Sequence, residues 1–231
     1  MTMPIVFAIS LACALALAVF AGPFVKKHAW VLYAPACALA VLYVAGVLGA
    51  LPAPVRGAVF PLMQKGTLAM ALFAIVMFTG VLARGSAPRR LVGRVRAEYS
   101  IAACILISGH MVAYALSYVP RVIASSMSNP YVALGLAAAL VLAVLTAVLG
   151  VTSLSCVKAR MEKSAWKKVQ RWAYLFYGLS YAHVIAMLLP GAVGGGAAAM
   201  QSAVFYSVLF GSYALLRALR AYSDRKAALG R

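Results

Sequence analysis

The stretch LSYAHVIAMLLPG, residues 179–191, has the composition of a helix in lipid, with the exception of His183. Apolar runs of this kind recur along the chain, and about 20 such residues cross the hydrocarbon core of a bilayer. Of the 231 residues, 65% are hydrophobic and 10% are charged, whereas a soluble domain averages about 45–50% and about 25%. The excess apolar surface must face lipid. The sequence therefore predicts an all-α integral membrane protein.

Seven segments are long enough to span a membrane as helices. The predicted spans are residues 4–25, 29–51, 58–83, 99–119, 131–155, 172–190 and 202–222. The third span is interrupted by Gln64 and Lys65. The glycine-rich stretch GAVGGGAAAM, residues 191–200, is predicted to be a flexible loop, because glycine destabilises helices.

The distribution of basic residues predicts the orientation of these spans. Of 21 Lys and Arg residues, 18 fall on one side, and only Arg56, Lys65 and Arg121 do not. Cytoplasmic loops carry the excess of Lys and Arg in membrane proteins. We therefore predict that the N-terminus is outside, that the C-terminus is in the cytoplasm, and that residues 223–231 form a basic cytoplasmic tail. Clusters at a membrane surface also account for the net charge of +18, which favours contact with lipid headgroups rather than with nucleic acid.

Two of the three histidines, His110 and His183, lie inside predicted spans. Arg96 and Arg171 mark the cytoplasmic ends of the two helices. His110 lies 14 residues after Arg96, and His183 lies 12 residues after Arg171. A rise of about 1.5 Å per residue places the two imidazoles about 18–21 Å along parallel helices. Two imidazoles at one depth satisfy the axial ligation of a six-coordinate haem b.

Small side chains flank both histidines. Gly109 and Ala113 flank the first, and Ala182 and Ala186 flank the second. These residues would leave room for a porphyrin, but small residues are also typical of ordinary helix packing in membranes. A histidine in a span can instead hydrogen-bond to a neighbouring helix, and the residues alone leave both interpretations open.

A resemblance to a known family comes from the segment TSLSCVKARMEKSAWKKVQRWAYLFYGLSYAHVIAML, residues 152–188. Its TS pair, basic loop and W-x3-Q-x3-Y pattern before a histidine resemble the ferric reductase-like transmembrane family. That family includes the haem-binding membrane subunit of bacterial methionine sulfoxide reductase systems and the membrane core of NADPH oxidases. Two further helices of the family resemble VRAEYSIAACILISGHMVAY, residues 95–114, and KGTLAMALFAIVMFTGVL, residues 65–82. The resemblance covers roughly residues 60–190.

This resemblance implies a six-helix haem-binding core, residues 29–222, preceded by one additional N-terminal helix, residues 1–28. His110 and His183 fall at the positions of the family's haem ligands. Gly109, Ala113 and Ala186 are the small residues expected beside the haem.

Two departures from the family pattern modify the expected function. The family's second ligand pair, nearly four helical turns nearer the cytoplasm, falls on Ala97 and Gln170, so one haem b is expected rather than two. His28 is expected to be a solvated loop histidine. No flavin- and nicotinamide-binding domain is expected in this sequence, so the electron donor would be a membrane quinol or a separate redox protein.

Charged and aromatic residues near the span ends complete the candidate site. Arg121 and Lys65, on the predicted outer side, are candidate partners of the haem propionates, although an interfacial lysine can equally reach lipid headgroups. At the cytoplasmic end of the sixth span, an aromatic cluster predicts an interfacial belt, with a quinone site as the alternative. It comprises Trp166, Trp172, Tyr174 and Tyr177.

The sequence thus predicts the redox component of an oxidoreductase system in a bacterial cytoplasmic membrane, rather than a complete enzyme. It would pass electrons to an acceptor outside, namely a partner reductase, a flavoprotein or a metal ion. The alternative is a haem-free small transporter or assembly factor. Internal repeats and buried polar groups are typical of transporters, and neither is prominent in this sequence.

Overall fold

A computed structural model describes residues 3–124 and 129–229 of the chain. Within these residues the secondary structure is helical, without β-strands. The helices are α1 (Met3–Phe20), α2 (Gly22–Lys27), α3 (Trp30–Val47), α4 (Ala53–Met63), α5 (Thr67–Phe78), α6 (Ala87–Gly93), α7 (Arg96–Ile123), α8 (Pro130–Ser153), α9 (Ser155–Arg160), α10 (Lys163–Gln170), α11 (Trp172–Val193) and α12 (Ala197–Leu229). Seven stretches in the described chain are long and apolar enough to cross a membrane. The prediction of an all-helical protein with seven candidate spans is confirmed at this level, which is that of a multi-pass membrane protein.

Helix α5 is at the centre of the bundle. Ten of its 12 residues are buried, and it packs against α1 and α7. The ring of Phe73 on α5 also packs edge-on against the ring of Phe176 on α11, with 4.9 Å between the ring centroids. A helix that is apolar all round is expected at such a position, because every face of it contacts another helix.

The third span differs from the single helix predicted at residues 58–83. It consists of α4 and α5, separated by a break at residues 64–66. Gly66 adopts the left-handed conformation there, with φ of +63°, which glycine reaches without the steric cost that a Cβ imposes. The polar residues Gln64 and Lys65 are exposed at this break.

The prediction of a flexible loop at residues 191–200 was wrong. Helix α11 continues to Val193 and α12 begins at Ala197, so only three residues connect them. Gly195 has a φ of +83° and makes this tight turn possible. The alanines that follow are strong helix formers. At its far end, α12 continues through the predicted tail to Leu229, and residues 230–231 lie outside the described chain.

Ion pairs bring distant basic segments together at one end of the bundle, which we call the basic end. Lys26 Nζ donates to Glu98 Oε1 at 2.7 Å, and Arg84 pairs with Asp224 at 3.2 Å. The first pair joins α2 to the beginning of α7, and the second joins the end of the third span to α12. The short helices α6, α9 and α10 belong to the same end because they connect spans there.

Gly109 allows α3 and α7 to pack closely. A Cβ at this position would lie 2.7 Å from Ala40 Cβ and 2.8 Å from Ala40 Cα. Since one of these is a backbone atom, the two helices would have to move apart. The small size of Gly109 is therefore used in the contact between helices.

We expect Gly109→Ala to lower the stability of the detergent-purified protein by about 1–3 kcal/mol, the usual cost of overpacking. Thermal unfolding monitored by circular dichroism measures the change. Gly178→Ala is the matched control, since a Cβ there meets nothing within 4 Å and alanine favours a helix over glycine. Equal melting temperatures of the two variants would contradict the α3–α7 contact.

The predicted orientation can be tested with the cysteine of the basic end. Cys156 is exposed on α9, so a membrane-impermeant maleimide should label it only in inverted membrane vesicles if the basic end is cytoplasmic. Ala50→Cys, made in a Cys156→Ser background, places a thiol at the opposite end and should react only in right-side-out vesicles. Labelling in the reverse pattern would overturn the orientation.

Candidate functional site

His110 is held by the broken third span. It lies half-buried on α7, with its Nδ1 atom 3.2 Å from the carbonyl oxygen of Met63, the last residue of α4. The same oxygen also accepts the N–H of Gly66 at 2.9 Å. Because a carbonyl only accepts hydrogen bonds, Nδ1 carries the ring proton and Nε2 keeps its lone pair.

His183 is held in the same way by another helix. Its Nδ1 atom lies 2.8 Å from the carbonyl oxygen of Gly135 on α8. Helices α8 and α11 approach closely at this glycine, where a Cβ would lie 2.7 Å from Met187 Sδ. The imidazole of His183 is therefore fixed with its Nε2 lone pair available, like that of His110.

The structure brings the two histidines into one region of the bundle. Helix α8 packs against both α7 and α11, whereas α7 and α11 make little direct contact with each other. His110 on α7 and His183 on α11 are thus on two helices that both pack against α8. Each imidazole keeps an Nε2 lone pair, which is the donor that a metal such as haem iron would need.

The small residues predicted beside the haem have different surroundings. Gly109 faces Ala40 on α3, as described above. Ala186 is buried. A Cβ built on Gly135 of α8 would lie 3.6 Å from the Cβ of Ala186, so Ala186 faces α8. Ala113 is buried on α7 and lines a cavity. A place for these residues beside a porphyrin remains a prediction.

The cavity lined by Ala113 lies opposite the basic end, and we call it the arginine cavity. It has a volume of about 420 Å³. The side chains that carry its chemistry are those of Arg56, Gln64, Tyr114, Ser117, Tyr118 and Arg121. Neither candidate ligand histidine lines it, but the ring of Tyr114 lies 4.5 Å from that of His110, centroid to centroid. The cavity is thus one side chain away from the candidate site.

The predicted cations occupy two different places. Arg121 lines the arginine cavity, with its guanidinium carbon 5.4 Å from the centre of the Tyr118 ring. Lys65 is exposed at the break between α4 and α5. Arg56, which the sequence indicated only by its side of the membrane, joins Arg121 in the cavity. One feature of the sequence could have indicated that Arg56 and Arg121 lie together. Along with Lys65, they are the three basic residues that do not belong to the clusters on the predicted cytoplasmic side.

At the basic end, the motif residues behind the family resemblance contact one another. Trp166 Nε1 donates to the carbonyl oxygen of Thr152 at 2.9 Å, and Gln170 Nε2 donates to the hydroxyl of Thr152 at 3.0 Å. The W-x3-Q pattern thus attaches α10 to the end of α8. The side chain of Gln170 is engaged in this contact.

The aromatic cluster at this end is only partly an interfacial belt. Trp172 and Tyr174 are exposed, as in a belt. Tyr177 is instead 1% exposed and packs in the core against Phe210 and Tyr213 of α12. His28, expected to be solvated, is half-buried at the end of α2, beside the ring of Phe24.

Glu98 and Glu162 differ in their surroundings. The side chain of Glu98 is 8% exposed and is paired with Lys26. Glu162 is exposed and accepts hydrogen bonds from the backbone N–H and the hydroxyl of Ser164, which lower the pKa of its carboxyl group. In the described residues, no group of three or more His, Cys, Asp or Glu side chains converges on one point. The candidate site therefore depends on the two histidines.

The fold and these two oriented imidazoles define a multi-pass helical membrane protein with fixed polar groups inside its spans. Over 209 residues the chain is 39% identical to an uncharacterized protein of Treponema pallidum (strain Nichols), a match that covers 88% of this chain and 57% of that protein. The chain thus spans little more than half the length of this relative. No family model matches the chain, and no solved structure matches it.

We expect Gly66→Ala to destabilise the protein by about 1–2 kcal/mol, the cost of a left-handed conformation for a residue with a Cβ. The new Cβ would also lie 2.9 Å from Ile107 Cδ1, one turn from His110. Thermal unfolding in detergent measures the change. Gly85→Ala is the control, because Gly85 is exposed and has a φ of +82°, but a Cβ there would meet nothing within 4 Å. Equal shifts in the two variants would show that the break is not held rigidly.

Proposed function

We propose that the protein is a haem b electron-transfer subunit of a membrane oxidoreductase system, with His110 and His183 as the axial ligands. The observation that carries the proposal is that each imidazole donates its Nδ1 proton to a backbone carbonyl of a neighbouring helix. Histidines that bind a metal usually donate their other ring N–H in this way, which fixes the tautomer and increases the basicity of the ligating nitrogen. A bis-histidine haem b supplies one-electron transfer between its ferric and ferrous states.

The rest of the chain supports this role by orientation and exclusion of water. The carbonyls of Met63 and Gly135 hold the two rings, and lipid offers no water that would compete for these hydrogen bonds. The buried helix α5 closes the basic half of the bundle with apolar side chains. Arg121 and Lys65, near the opposite end, match the negative charge of haem propionates.

The resemblance to the ferric reductase-like family is consistent with this proposal, with a six-helix core preceded by an additional helix. One haem is expected because Ala97 has no ligating atom and the side chain of Gln170 is hydrogen-bonded to Thr152. The basic end would face the cytoplasm of a bacterial cell. Electrons would come from a quinol or a separate redox protein and leave to an acceptor outside, either a partner reductase, a flavoprotein or a metal ion.

One observation favours a second candidate function. The third span is broken inside the membrane, with Gln64 and Lys65 exposed at the break, and secondary transporters use such broken helices to bind their substrates. In a haem-free transporter, the hydrogen bond from His110 to Met63 would serve only to cap the end of α4. The two functions differ in whether a chromophore is bound.

We expect the detergent-purified protein, produced with haem supplied, to show a low-spin b-type spectrum in the oxidised and dithionite-reduced states. A pyridine haemochrome assay should give one haem per chain. The His110→Ala and His183→Ala variants should each lose almost all of the bound haem, because each substitution removes one axial ligand. His28→Ala, the third histidine, is the matched control and should keep the spectrum unchanged.

A colourless wild-type protein would refute haem binding and leave the transporter or assembly factor. Two haems per chain would refute the single site and require ligands other than Ala97 and Gln170. Loss of haem in His28→Ala, with retention in one of the other variants, would refute the assignment of the ligands.

A further inference from the structure

A second cavity opens between α1 and α3, and we call it the lateral cavity. It has a volume of about 330 Å³. Helices α1 and α3 make little direct contact with each other in the described chain, and Leu72 of α5 and Ala102 of α7 line the cavity behind the gap. On α1, the lining residues Ile9 and Cys13 are exposed. Because exposed side chains of a span face lipid, a molecule dissolved in the bilayer can enter the cavity from the side.

The lateral cavity contains a hydrogen-bond donor without a partner, the hydroxyl of Ser10. This residue is 5% exposed and lines the cavity, and its Oγ atom makes no hydrogen bond within the described residues. Serines on other spans, such as Ser108 and Ser180, donate to the carbonyl of the residue four positions before them. A buried hydroxyl without a partner costs about 1–3 kcal/mol. An acceptor from outside the chain would therefore stabilise this position.

The other hydroxyl group among the lining residues is already engaged. Tyr99 is buried on α7, and its Oη atom donates to the carbonyl oxygen of Ala14 on α1 at 2.6 Å. Its ring contributes an apolar wall, and most of the remaining lining residues are aliphatic. Apolar walls with few, fixed polar groups are typical of a small-molecule site.

The depth of Ser10 limits the molecules that can supply the acceptor. Ser10 is the eighth of the 18 residues of α1, which places it about 10 Å along the helix axis from Met3. Phospholipids keep their oxygen atoms in the headgroup regions on either side of a hydrocarbon core about 30 Å thick. An acyl chain at this depth has no acceptor to offer, whereas a quinone carries carbonyl oxygens on a ring that itself dissolves in the hydrocarbon.

We propose that the lateral cavity binds the ring of an isoprenoid quinone, one carbonyl oxygen of which accepts a hydrogen bond from Ser10. The aliphatic walls would enclose the ring, and the isoprenoid tail would leave through the gap between α1 and α3. The cavity extends toward the candidate site, because Leu106, one turn before His110 on α7, lines it. The redox role of this quinone rests on the proposed function, whereas its binding does not require haem.

A photoreactive decyl azidoubiquinone tests the site in the full-length protein, reconstituted in phosphatidylcholine nanodiscs. After illumination, peptide mass spectrometry should locate the adduct on residues that line the lateral cavity, and decylubiquinone should compete with its formation. Ser10→Ala should require about fivefold more decylubiquinone to halve the crosslinking, because one hydrogen bond is lost. Ser108→Ala is the matched control and should behave like the wild type, since this exposed serine bonds within its own helix.

Cys13→Phe fills the mouth of the cavity from an exposed position and keeps Ser10. It should lose most of the crosslinking, and its melting temperature should stay near that of the wild type. Equal competition in Ser10→Ala and the wild type would overturn the proposal, as would an adduct outside the cavity. Decylbenzene has the same tail without a carbonyl, and competition as strong as that of decylubiquinone would overturn the proposal in favour of an acyl chain. A haem-free wild-type protein that still forms the adduct would refute the proposed function and support this site.

Discussion

A backbone carbonyl inside a membrane must find a donor within the protein, and this constraint underlies the arrangement of the central helices. The end of α4 at Met63 frees carbonyl oxygens that lipid cannot solvate. The N–H of Gly66 and the imidazole of His110 both donate to the Met63 oxygen. The break in the third span is therefore possible because α7 supplies a donor at that depth, and the same contact fixes the orientation of the ring.

The break also determines what surrounds the site. On one side of it, α5 is enclosed by α1, α7 and the rings of α11 and α12. On the other side, α4 packs with α3 and α7, and the space between these three helices is the arginine cavity. One interruption of a helix thus separates the buried, apolar surroundings of α5 from the arginine cavity, which is lined by polar side chains and two arginines. His110 lies at the boundary between the two halves.

Apolar composition and the position of basic clusters predicted the number of candidate spans, since long apolar runs have no other stable environment. Contacts between distant residues could not be predicted in this way. Glu98 pairs with Lys26, 72 positions away, and Tyr177 is a core residue although its neighbours Trp172 and Tyr174 are exposed. The helical start of α12 was missed because the three alanines after Gly196 outweigh the glycines before them. The depth of the histidines followed from helical rise alone, whereas their carbonyl partners depend on tertiary packing.

The central position of α5 also has a consequence for how the protein is made. Membrane helices enter the bilayer in the order of synthesis, and α5 is made before α7, α11 and α12, which later cover it. Until those helices arrive, the faces of α5 that they later cover are in contact with lipid. Its uniformly apolar surface therefore serves two stages of biogenesis, first as a helix stable alone in the bilayer and later as the core around which the bundle closes.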